Sequence, residues 1–254
     1  MEKPFISVVL ICYNAEKFIK KTIESVLNQT YKNFEFVIVN DCSTDKSEEI
    51  ITSFSDSRIK YIKNEQNMKI SKTRNRGVEN TTGEYIAFLD SDDIWCENKL
   101  EKHVEHIKKT NAKISYSGYY FISNDGVLQN KIHHVPQKVD FKKLLKQNVI
   151  TPSASVFQRD LLLKYPFYAE EVHEDFLCFL QMLKGENIFA YGIDEPLIYY
   201  RLTNNSKSRN KFKAMKMTLR TYKLAGLNFF KRLYYLPFYM LNGIKKYKGM
   251  KDKK

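Results

Sequence analysis

Residues 83–93 read GEYIAFLDSDD, a stretch in which an apolar run ends in acidic residues. The run at 85–89 has the composition and length of a strand that is buried on both faces. Three carboxylates follow within four positions, at Asp90, Asp92 and Asp93. Carboxylates this close repel one another, and removing each from water is costly. The stretch therefore predicts either a cap for the next helix or a cation site.

The residues on either side of this stretch alternate between strand and helix patterns. Apolar, β-branched runs predict strands over 5–12, 34–40 and 58–63. Periodic apolar residues predict helices over 15–27, 43–54, 70–80 and 97–108. Alternation with short links predicts an α/β fold, with a mostly parallel, doubly wound central sheet and helices on both faces. Ligands of such sheets bind beyond the carboxyl ends of the strands.

Polar residues follow three of the predicted strands. Tyr13 and Asn14 follow the first, Asp41 the second, and Asp90 and Asp92 the strand at 85–89. Because the carboxyl ends of parallel strands meet at one edge of a sheet, these residues are expected to share one site.

The alternation breaks down after residue 112. Strands over 113–123 and 127–134 flank an Asn-Asp-Gly turn, which predicts a hairpin. The remaining predictions are helices over 141–146 and 172–183, a strand over 153–157 and an extended segment over 188–201. The main domain is therefore placed at 1–206, with a change of pattern that divides it into residues 1–112 and 113–206.

Residues 207–254 form a basic tail. They hold fifteen of the 42 Lys and Arg residues and one of the 29 acidic residues, so the first 206 residues are close to neutral. The tail also carries the aromatic segment LNFFKRLYYLPFYML at 227–241, which predicts amphipathic helices. Three partners are open: an anionic membrane surface, the main domain itself, and nucleic acid as the least favoured.

Several classes of site lack their motifs in this chain. There is no G-x-G-x-x-G, no G-K-[ST], no H-E-x-x-H and no G-x-S-x-G sequence. The four cysteines are scattered, which disfavours zinc and is typical of a reducing compartment. The oxygen-rich acidic stretch suits Mg²⁺ or Mn²⁺ shared with substrate phosphates.

Five segments in a fixed order now identify a family resemblance. They are SVVLICYN at 7–14, SVLNQTYKNFEFVIVNDCSTD at 25–45, SKTRNRG at 71–77, GEYIAFLDSDD at 83–93 and HED at 173–175. Over roughly residues 5–205 the chain resembles the family 2 glycosyltransferases of GT-A fold. The resemblance implies transfer of a sugar from a nucleotide diphosphate donor, usually a UDP-sugar, with inversion at the anomeric carbon. It also implies that residues 1–206 form the catalytic domain, with a nucleotide-binding half at 1–112 and an acceptor half at 113–206.

The resemblance also implies roles in donor binding. Tyr13 would pack on the nucleobase, and Asp41 would accept a hydrogen bond from its imide N–H. Asn67 and Arg74 would hold the base, the ribose or the diphosphate. Asp90 would bind the ribose or approach the metal.

Further roles concern the metal and the chemistry. Asp92 would ligate the Mn²⁺ or Mg²⁺ ion that bridges the two phosphates. Asp175 would be the general base for the acceptor hydroxyl, with Glu174 positioning the acceptor. Asp93 is expected to cap the next helix, and Arg201 is expected to be a structural cation, with a phosphate contact as the alternative.

One departure from the family pattern lies after Arg201. Many relatives have a His two residues after this Arg, where the present chain has Thr203. Threonine is a weaker ligand, so the departure bears on how tightly a metal is held without donor.

The expected function is synthesis of a surface polysaccharide or lipooligosaccharide on a glycan or lipid-linked acceptor. The expected location is cytoplasmic, with the tail attached to the inner face of the plasma membrane. Two alternatives stay open. A nucleotidyltransferase would need a glycine-rich phosphate loop after the first strand, and YNAEKF has no glycine. A degenerate nucleotide-sugar-binding or scaffold protein would not need both Asp92 and Asp175.

Overall fold

The computed structural model of the chain describes residues 3–168, 172–202 and 211–247. The strands are β1 (Ile6–Cys12), β2 (Phe34–Asn40), β3 (Ile59–Lys63), β4 (Tyr85–Asp90), β5 (Ile94–Trp95), β6 (Ile114–Ile122), β7 (Leu128–His133), β8 (Lys138–Val139), β9 (Ser155–Gln158) and β10 (Ala190–Arg201). The helices are α1 (Ile19–Leu27), α2 (Ser47–Thr52), α3 (Lys69–Glu79), α4 (Lys99–Thr110), α5 (Phe141–Lys146), α6 (Arg159–Lys164), α7 (Glu174–Gly185), α8 (Lys211–Leu224) and α9 (Phe229–Tyr247).

One sheet organises the molecule, with the strand order β3-β2-β1-β4-β9-β6-β10-β5. The neighbours β3, β2, β1 and β4 are parallel, as the alternating sequence predicts. The reversed strand β9 then pairs antiparallel with both β4 and β6. Strand β10 is parallel to β6, so the carboxyl ends of β1, β2, β4, β6 and β10 face one edge of the molecule.

Two hydrophobic cores lie on the two faces of the sheet, which confirms the prediction of helices on both sides. Successive side chains of a strand point to opposite faces. Val8 and Leu10 therefore pack into one core with α1 and α4, and Val9 packs into the other with α3 and α7. All three side chains are fully buried, which explains why β1 is apolar at every position except Ser7.

The structure holds short elements that the sequence patterns did not predict. Strands β5 and β8 have two residues each, and α6 has six. The predicted hairpin is present between β6 and β7, and Gly126 in its turn has a φ of +84°, which favours glycine. The sheet is accordingly mixed in the second half of the chain.

The basic tail packs against α5 and α7 through α8 and one side of α9. Tyr222 is fully buried and donates a hydrogen bond to the carbonyl of Leu145. The ring of Tyr239 stacks on Phe176 of α7 with a centroid distance of 5.1 Å. Residues 203–210 and 248–254, which include Thr203 and several tail lysines, lie outside the described residues. No helix within the described ranges has the length and apolarity needed to cross a bilayer.

Candidate active site

The loops after β1 and β2 are joined to each other by side-chain hydrogen bonds. The backbone N–H of Asn14 donates to Ser43 Oγ at 3.0 Å, and Asn14 Oδ1 accepts from the N–H of Thr44 at 2.8 Å. Asn14 has a φ of +49°, a conformation that asparagine tolerates better than most residues. These bonds fix the loop that carries Tyr13, whose side chain is 51% exposed at the edge of the sheet.

Asp41 is buried and lies under the start of α3. Its Oδ1 accepts from Asn64 Nδ2 at 2.6 Å and from the N–H of Met68 at 2.7 Å, and its Oδ2 accepts from the N–H of Lys69 at 3.0 Å. A carboxylate oxygen accepts two hydrogen bonds, so Oδ2 keeps one acceptor position. That position is the one compatible with the predicted bond from a nucleobase imide.

Asn64 lies in the loop between β3 and α3 and connects Asp41 to α3. The sequence patterns did not identify it as a site residue. Its Nδ2 donates to both Asp41 and Thr73, and its Oδ1 accepts from Arg76 Nη1. Asn67 lies in the same loop, and its Oδ1 is buried with no hydrogen-bond donor among the described residues. A buried acceptor without a donor indicates a place where a ligand or water completes the bonding.

Arg74 is the most buried cation of the site. Its Nη2 donates to Asp90 Oδ1 at 2.8 Å, and its Nη1 lies 3.7 Å from Glu174 Oε1. The aromatic ring of Phe167 lies 5.3 Å from the guanidinium carbon. Burial lowers the pKa of Arg74, but the carboxylates of Asp90, Glu174 and Asp175 together raise it above its ordinary value.

Arg74 also keeps unused donors. Its Nε and Nη1 are buried and donate no hydrogen bond within the described residues. A buried, permanently charged group with two orphan donors suits an anionic ligand, because an unmade hydrogen bond from a charged donor is costly. Phe167 and Glu174 hold the guanidinium in place. The sequence motifs identified Glu174 as a site residue but not Phe167.

Asp175 lies in the first turn of α7, next to this arginine. Its Oδ1 accepts from the N–H of Phe176 at 2.7 Å, and its Oδ2 accepts from Asn148 Nδ2 at 3.4 Å. Burial, followed by the charge of Glu174, raises the pKa of Asp175, and Arg74 partly offsets that rise. A carboxylate with a raised pKa is a better proton acceptor than an ordinary aspartate.

Asp92 follows the end of β4 and is coupled to its neighbours. Burial and the nearby charge of Asp90 raise the pKa of Asp92 to about 6, and Arg201 partly offsets the rise. Apart from its own N–H, no described residue donates a hydrogen bond to this carboxylate. A divalent cation would offset the repulsion that raises this pKa, so the oxygen donors present here fit Mg²⁺ or Mn²⁺.

The described residues do not supply a complete coordination shell by themselves. Within 3–168, 172–202 and 211–247, no three His, Cys, Asp or Glu side chains converge closely enough to hold an ion. Mg²⁺ is commonly held by one or two carboxylates together with substrate phosphates. An ion at Asp92 would therefore need oxygens from a bound diphosphate.

The expectation that Asp93 caps the next helix is wrong. Helix α4 begins at Lys99, and its N-cap residue, Asn98, makes no side-chain cap bond. Asp93 is instead buried, and its Oδ1 accepts from the N–H of Arg201 at 2.9 Å. Burial and the charges of Asp92 and Asp90 raise its pKa well above the ordinary value. Asp93 therefore ties the end of β10 to the acidic stretch.

Arg201 has the structural role that the sequence analysis favoured. Its Nε donates to the carbonyl of Asp92 at 2.7 Å, and its Nη1 donates to the carbonyls of Ser123 and Asn124 at 3.1 and 2.9 Å. Its guanidinium also lies 4.6 Å from the ring centre of Phe18. These contacts fix the backbone around Asp92.

The site thus has two parts along one edge of the sheet. Tyr13, Asp41 and Asn67 lie at the ends of β1 and β2 and before α3. Arg74, Asp90, Asp92, Glu174 and Asp175 lie between α3, the end of β4 and the start of α7. One part offers an aromatic ring, a carboxylate and an amide acceptor, and the other offers a buried cation among carboxylates. This arrangement suits a nucleotide diphosphate, with the nucleobase beside the aromatic ring and the diphosphate beside the cation.

Comparisons with known proteins identify the family of the chain. The model of the family described as Glycosyl transferase family 2 matches residues 7–165. The chain is 39% identical over 251 residues to the UDP-Glc:alpha-D-GlcNAc-diphosphoundecaprenol beta-1,3-glucosyltransferase WfgD of Escherichia coli, covering 97% of this chain and 96% of that protein.

Two solved structures share the fold. The S. aureus TarS 1–349 complex with UDP-GlcNAc matches with a TM-score of 0.71 and 21% identity, over 97% of this chain and 76% of that one. The mannosyltransferase PcManGT of Pyrobaculum calidifontis, in complex with GDP-Man and Mn²⁺, matches with a TM-score of 0.66 and 14% identity, over 97% and 70% of the two chains. With its GT-A fold, the family match over residues 7–165 and a relative named as a glucosyltransferase that it matches over nearly its whole length, the chain belongs to glycosyl transferase family 2 and is a glycosyltransferase.

Proposed function

We propose that this enzyme transfers a sugar from a UDP-sugar to a hydroxyl of a lipid-linked or glycan acceptor in surface polysaccharide synthesis, with inversion and with Mn²⁺ or Mg²⁺. WfgD, by its name, uses UDP-Glc and an acceptor linked to diphosphoundecaprenol, and TarS was solved with UDP-GlcNAc. These names support the choice of donor and acceptor class.

The proposal rests on the buried hydrogen-bond donors of Arg74 that are left unused. The buried Nε and Nη1 of its guanidinium donate no hydrogen bond within the described residues, while the ion pairs with Asp90 and Glu174 hold the group in one orientation. A donor diphosphate at this position would accept both hydrogen bonds. Its negative charge increases when the bond to the sugar breaks, so a fixed cation stabilises the transition state more than the ground state.

The proton transfer is assigned to Asp175. Its carboxylate takes the proton of the acceptor hydroxyl, the oxygen forms a bond to the anomeric carbon, and the bond to the diphosphate oxygen breaks on the opposite face. The raised pKa of Asp175 increases its basicity. Glu174, which the family resemblance assigns to the acceptor, also lies against Arg74 and thereby orients the diphosphate contact.

A divalent cation is assigned to Asp92, with Asp90 nearby. When bound, such an ion acts as a Lewis acid that neutralises charge on the leaving diphosphate. The chain's own contribution is to keep the Asp92 carboxylate in place. Arg201 Nε donates to the backbone carbonyl of Asp92, and the backbone N–H of Arg201 donates to the Asp93 carboxylate. Mn²⁺ in the PcManGT complex supports the assignment at the level of the fold.

The location is proposed from the outer side of α9. Exposed apolar side chains recur there at helical spacing, namely Phe230, Leu233, Tyr234, Leu241 and Ile244. Lys245 and Lys246 follow in the last turn. An apolar stripe beside lysines is typical of a helix that lies in the headgroup region of an anionic membrane. We therefore place the enzyme at the inner face of the plasma membrane.

The test is donor hydrolysis across a panel of UDP-sugars with Mn²⁺, combined with titration of UDP. Asp175→Asn is expected to keep UDP affinity while turnover falls by about 10³-fold, because only the base is lost. Asp92→Asn is expected to weaken Mn²⁺-dependent UDP binding. Asp160→Asn, the same charge change on the exposed start of α6, serves as the control. The proposal fails if no donor is consumed and Asp92→Asn binds UDP as the wild type does.

A further inference from the structure

An open cavity of about 340 Å³ lies between the second half of the catalytic domain and α9. Its polar lining comes from His134 before β8, from Lys143 and Lys146 on α5, from Gln147, and from Asn242 on α9. Asn242 Nδ2 donates to the carbonyl of Lys146 at 3.1 Å, so the tail helix closes one wall. None of these residues has a role in the donor site.

Two ammonium groups line the cavity, and the third basic lining residue, His134, is paired with Asp194 at 3.0 Å. Lys143 and Lys146 are both exposed, and neither forms an ion pair within the part of the chain that the structure describes. The nearest acid in sequence, Asp140, uses its carboxylate to accept from the N–H of Lys143 and so caps α5. Two ammonium groups and two side-chain amides around a cavity suit an anion with several acceptor oxygens, such as a diphosphate.

The cavity shares a wall with the catalytic base. Gln147 and Val149 line it, and Asn148 between them donates to Asp175 Oδ2 at 3.4 Å. Asn148 Oδ1 is buried and accepts no hydrogen bond among the described residues. One three-residue segment therefore borders both the cavity and the base, and it keeps a buried acceptor free for a ligand hydroxyl.

An apolar surface continues from the cavity along α9. The ring of Phe238 lies 5.3 Å from the Lys146 ammonium, which places it at the rim. Tyr234 and Leu241, one turn away on either side along the helix, are 58% and 59% exposed. A cationic cavity that opens onto an exposed apolar stripe matches a molecule with a diphosphate head and a long hydrocarbon chain.

We propose that this cavity binds the diphosphate of an isoprenyl-diphosphate-linked acceptor, with the isoprenyl chain along the outer side of α9 and the linked sugar directed past Asn148 toward Asp175. The inference rests on the proposed function, because it assigns the acceptor of that reaction. It adds Lys143, Lys146 and Asn148 to the residues that select the substrate.

The test uses the full chain and farnesyl diphosphate as the probe, with saturating UDP and Mn²⁺ so that the donor site is occupied. Lys143→Ala/Lys146→Ala is compared with Lys108→Ala/Lys109→Ala, which removes two exposed lysines from the last turn of α4. Lysines in a last turn also offset the helix dipole, and the control pair reproduces that effect. We expect the cavity pair to weaken farnesyl diphosphate binding about tenfold and the control pair to change it less than twofold.

Two results would overturn the inference while leaving the proposed function intact. In the first, UDP binds normally but both double variants bind farnesyl diphosphate equally well. In the second, the cavity pair lowers binding to phosphatidylglycerol vesicles but not to farnesyl diphosphate, which would assign the cavity to membrane headgroups. Failure of the wild type to bind UDP would instead count against the proposed function, and the comparison of the two pairs without UDP would still decide the cavity.

Discussion

Arg74 on α3 and Asp90 at the end of β4 form an ion pair with an Nη2–Oδ1 distance of 2.8 Å, in which the arginine side chain is 3% exposed and the aspartate 29%. The cation is therefore inside and its partner is at the surface of the site. This arrangement fixes the plane of the guanidinium before any ligand arrives. Preorganised charge of this kind needs no rearrangement during the reaction.

The first prediction concerns Arg74→Lys. Lysine keeps the positive charge but lacks the planar fork, so it cannot hold Asp90 and offer two donors to a diphosphate at once. We expect UDP affinity to fall about tenfold, since a charge-assisted hydrogen bond contributes about 1.5–3 kcal/mol. Calorimetric titration with UDP measures this affinity. Arg58→Lys is the control, because Arg58 pairs with Asp56 beside the edge strand β3. Equal UDP affinity for wild type and Arg74→Lys would contradict the assignment.

The second prediction concerns pH and Asp92. Burial and Asp90 raise the pKa of Asp92 to about 6 when no metal is bound. Protons compete with the cation for this carboxylate below that pH, so Mn²⁺-dependent UDP binding should weaken as pH falls from 7 to 5. The loss should approach about tenfold at pH 5, one unit below the pKa. UDP binding measured in EDTA is the control for other titrating groups. A pH-independent Mn²⁺ effect would be the contrary result.

The third prediction separates two substitutions of Asp93. Its Oδ1 accepts from the N–H of Arg201, and its Oδ2 is buried with no partner among the described residues. Because its pKa is raised in the folded chain, folding binds a proton, and the group costs stability as pH rises above the unfolded pKa near 4. Asp93→Asn keeps the acceptor and removes the titration, so we expect it to be at least as stable as wild type at pH 7.

Asp93→Ala is the matched contrast, because it removes the acceptor as well. We expect it to lower the free energy of unfolding by about 1–3 kcal/mol, since the N–H of Arg201 is left buried and unpaired. Urea unfolding at pH 5 and pH 7 measures both variants. If Asp93→Asn were the more damaging of the two at pH 7, the carboxyl would have to be charged and in use there.

The fourth prediction distinguishes the two sides of α9. Tyr239 faces inward and stacks on Phe176, so Tyr239→Ala should lower the free energy of unfolding by about 3 kcal/mol. Tyr234 and Leu241 face outward, so Tyr234→Ser/Leu241→Ser should leave the unfolding transition unchanged but reduce binding to phosphatidylglycerol vesicles. Vesicle sedimentation and urea unfolding of both variants test the separation. Loss of stability without loss of vesicle binding in the outward pair would refute it.

The sequence predicted most of the elements, including the six-residue α5, and missed β5, β8 and α6. Strand β2 has the predicted bounds, because its apolar run is flanked by polar residues on both sides. Strand β5 has only two residues and exists because Ile94 and Trp95 pair with β10, about a hundred positions later in the chain. No local pattern reports such a pairing.

The site shows the same division. The carboxyl ends of parallel strands meet at one edge of a sheet, which predicted that Asp41, Asp90 and Asp92 would lie along one edge. It could not anticipate Asn148 beside Asp175, because their contact depends on how α5 and α7 pack. Asp93 was mistaken for a cap because a carboxylate ahead of a helix is usually one. Its actual partner is the backbone of Arg201, 108 residues away.

The last prediction concerns Lys99, a buried amine outside the site. Its side chain is fully buried, its Nζ makes no hydrogen bond within the described residues, and it lies 4.0 Å from the ring centre of Trp95. Burial lowers its pKa to about 7. Between pH 7 and pH 10 the unfolded chain therefore binds a proton at this residue that the folded chain does not. Stability should rise with pH in that window by up to about 1.4 kcal/mol per unit.

Lys99→Met should remove this rise and stabilise the protein at pH 7 and below, because methionine fills a similar volume without a buried charge. Urea unfolding at pH 6, 7, 8 and 9 measures the slope for each chain. Lys108→Met, an exposed position on the same helix, is the control and should follow the wild type. Identical pH slopes for Lys99→Met and wild type would show that the amine keeps an ordinary pKa, which would require a water or anion beside Trp95.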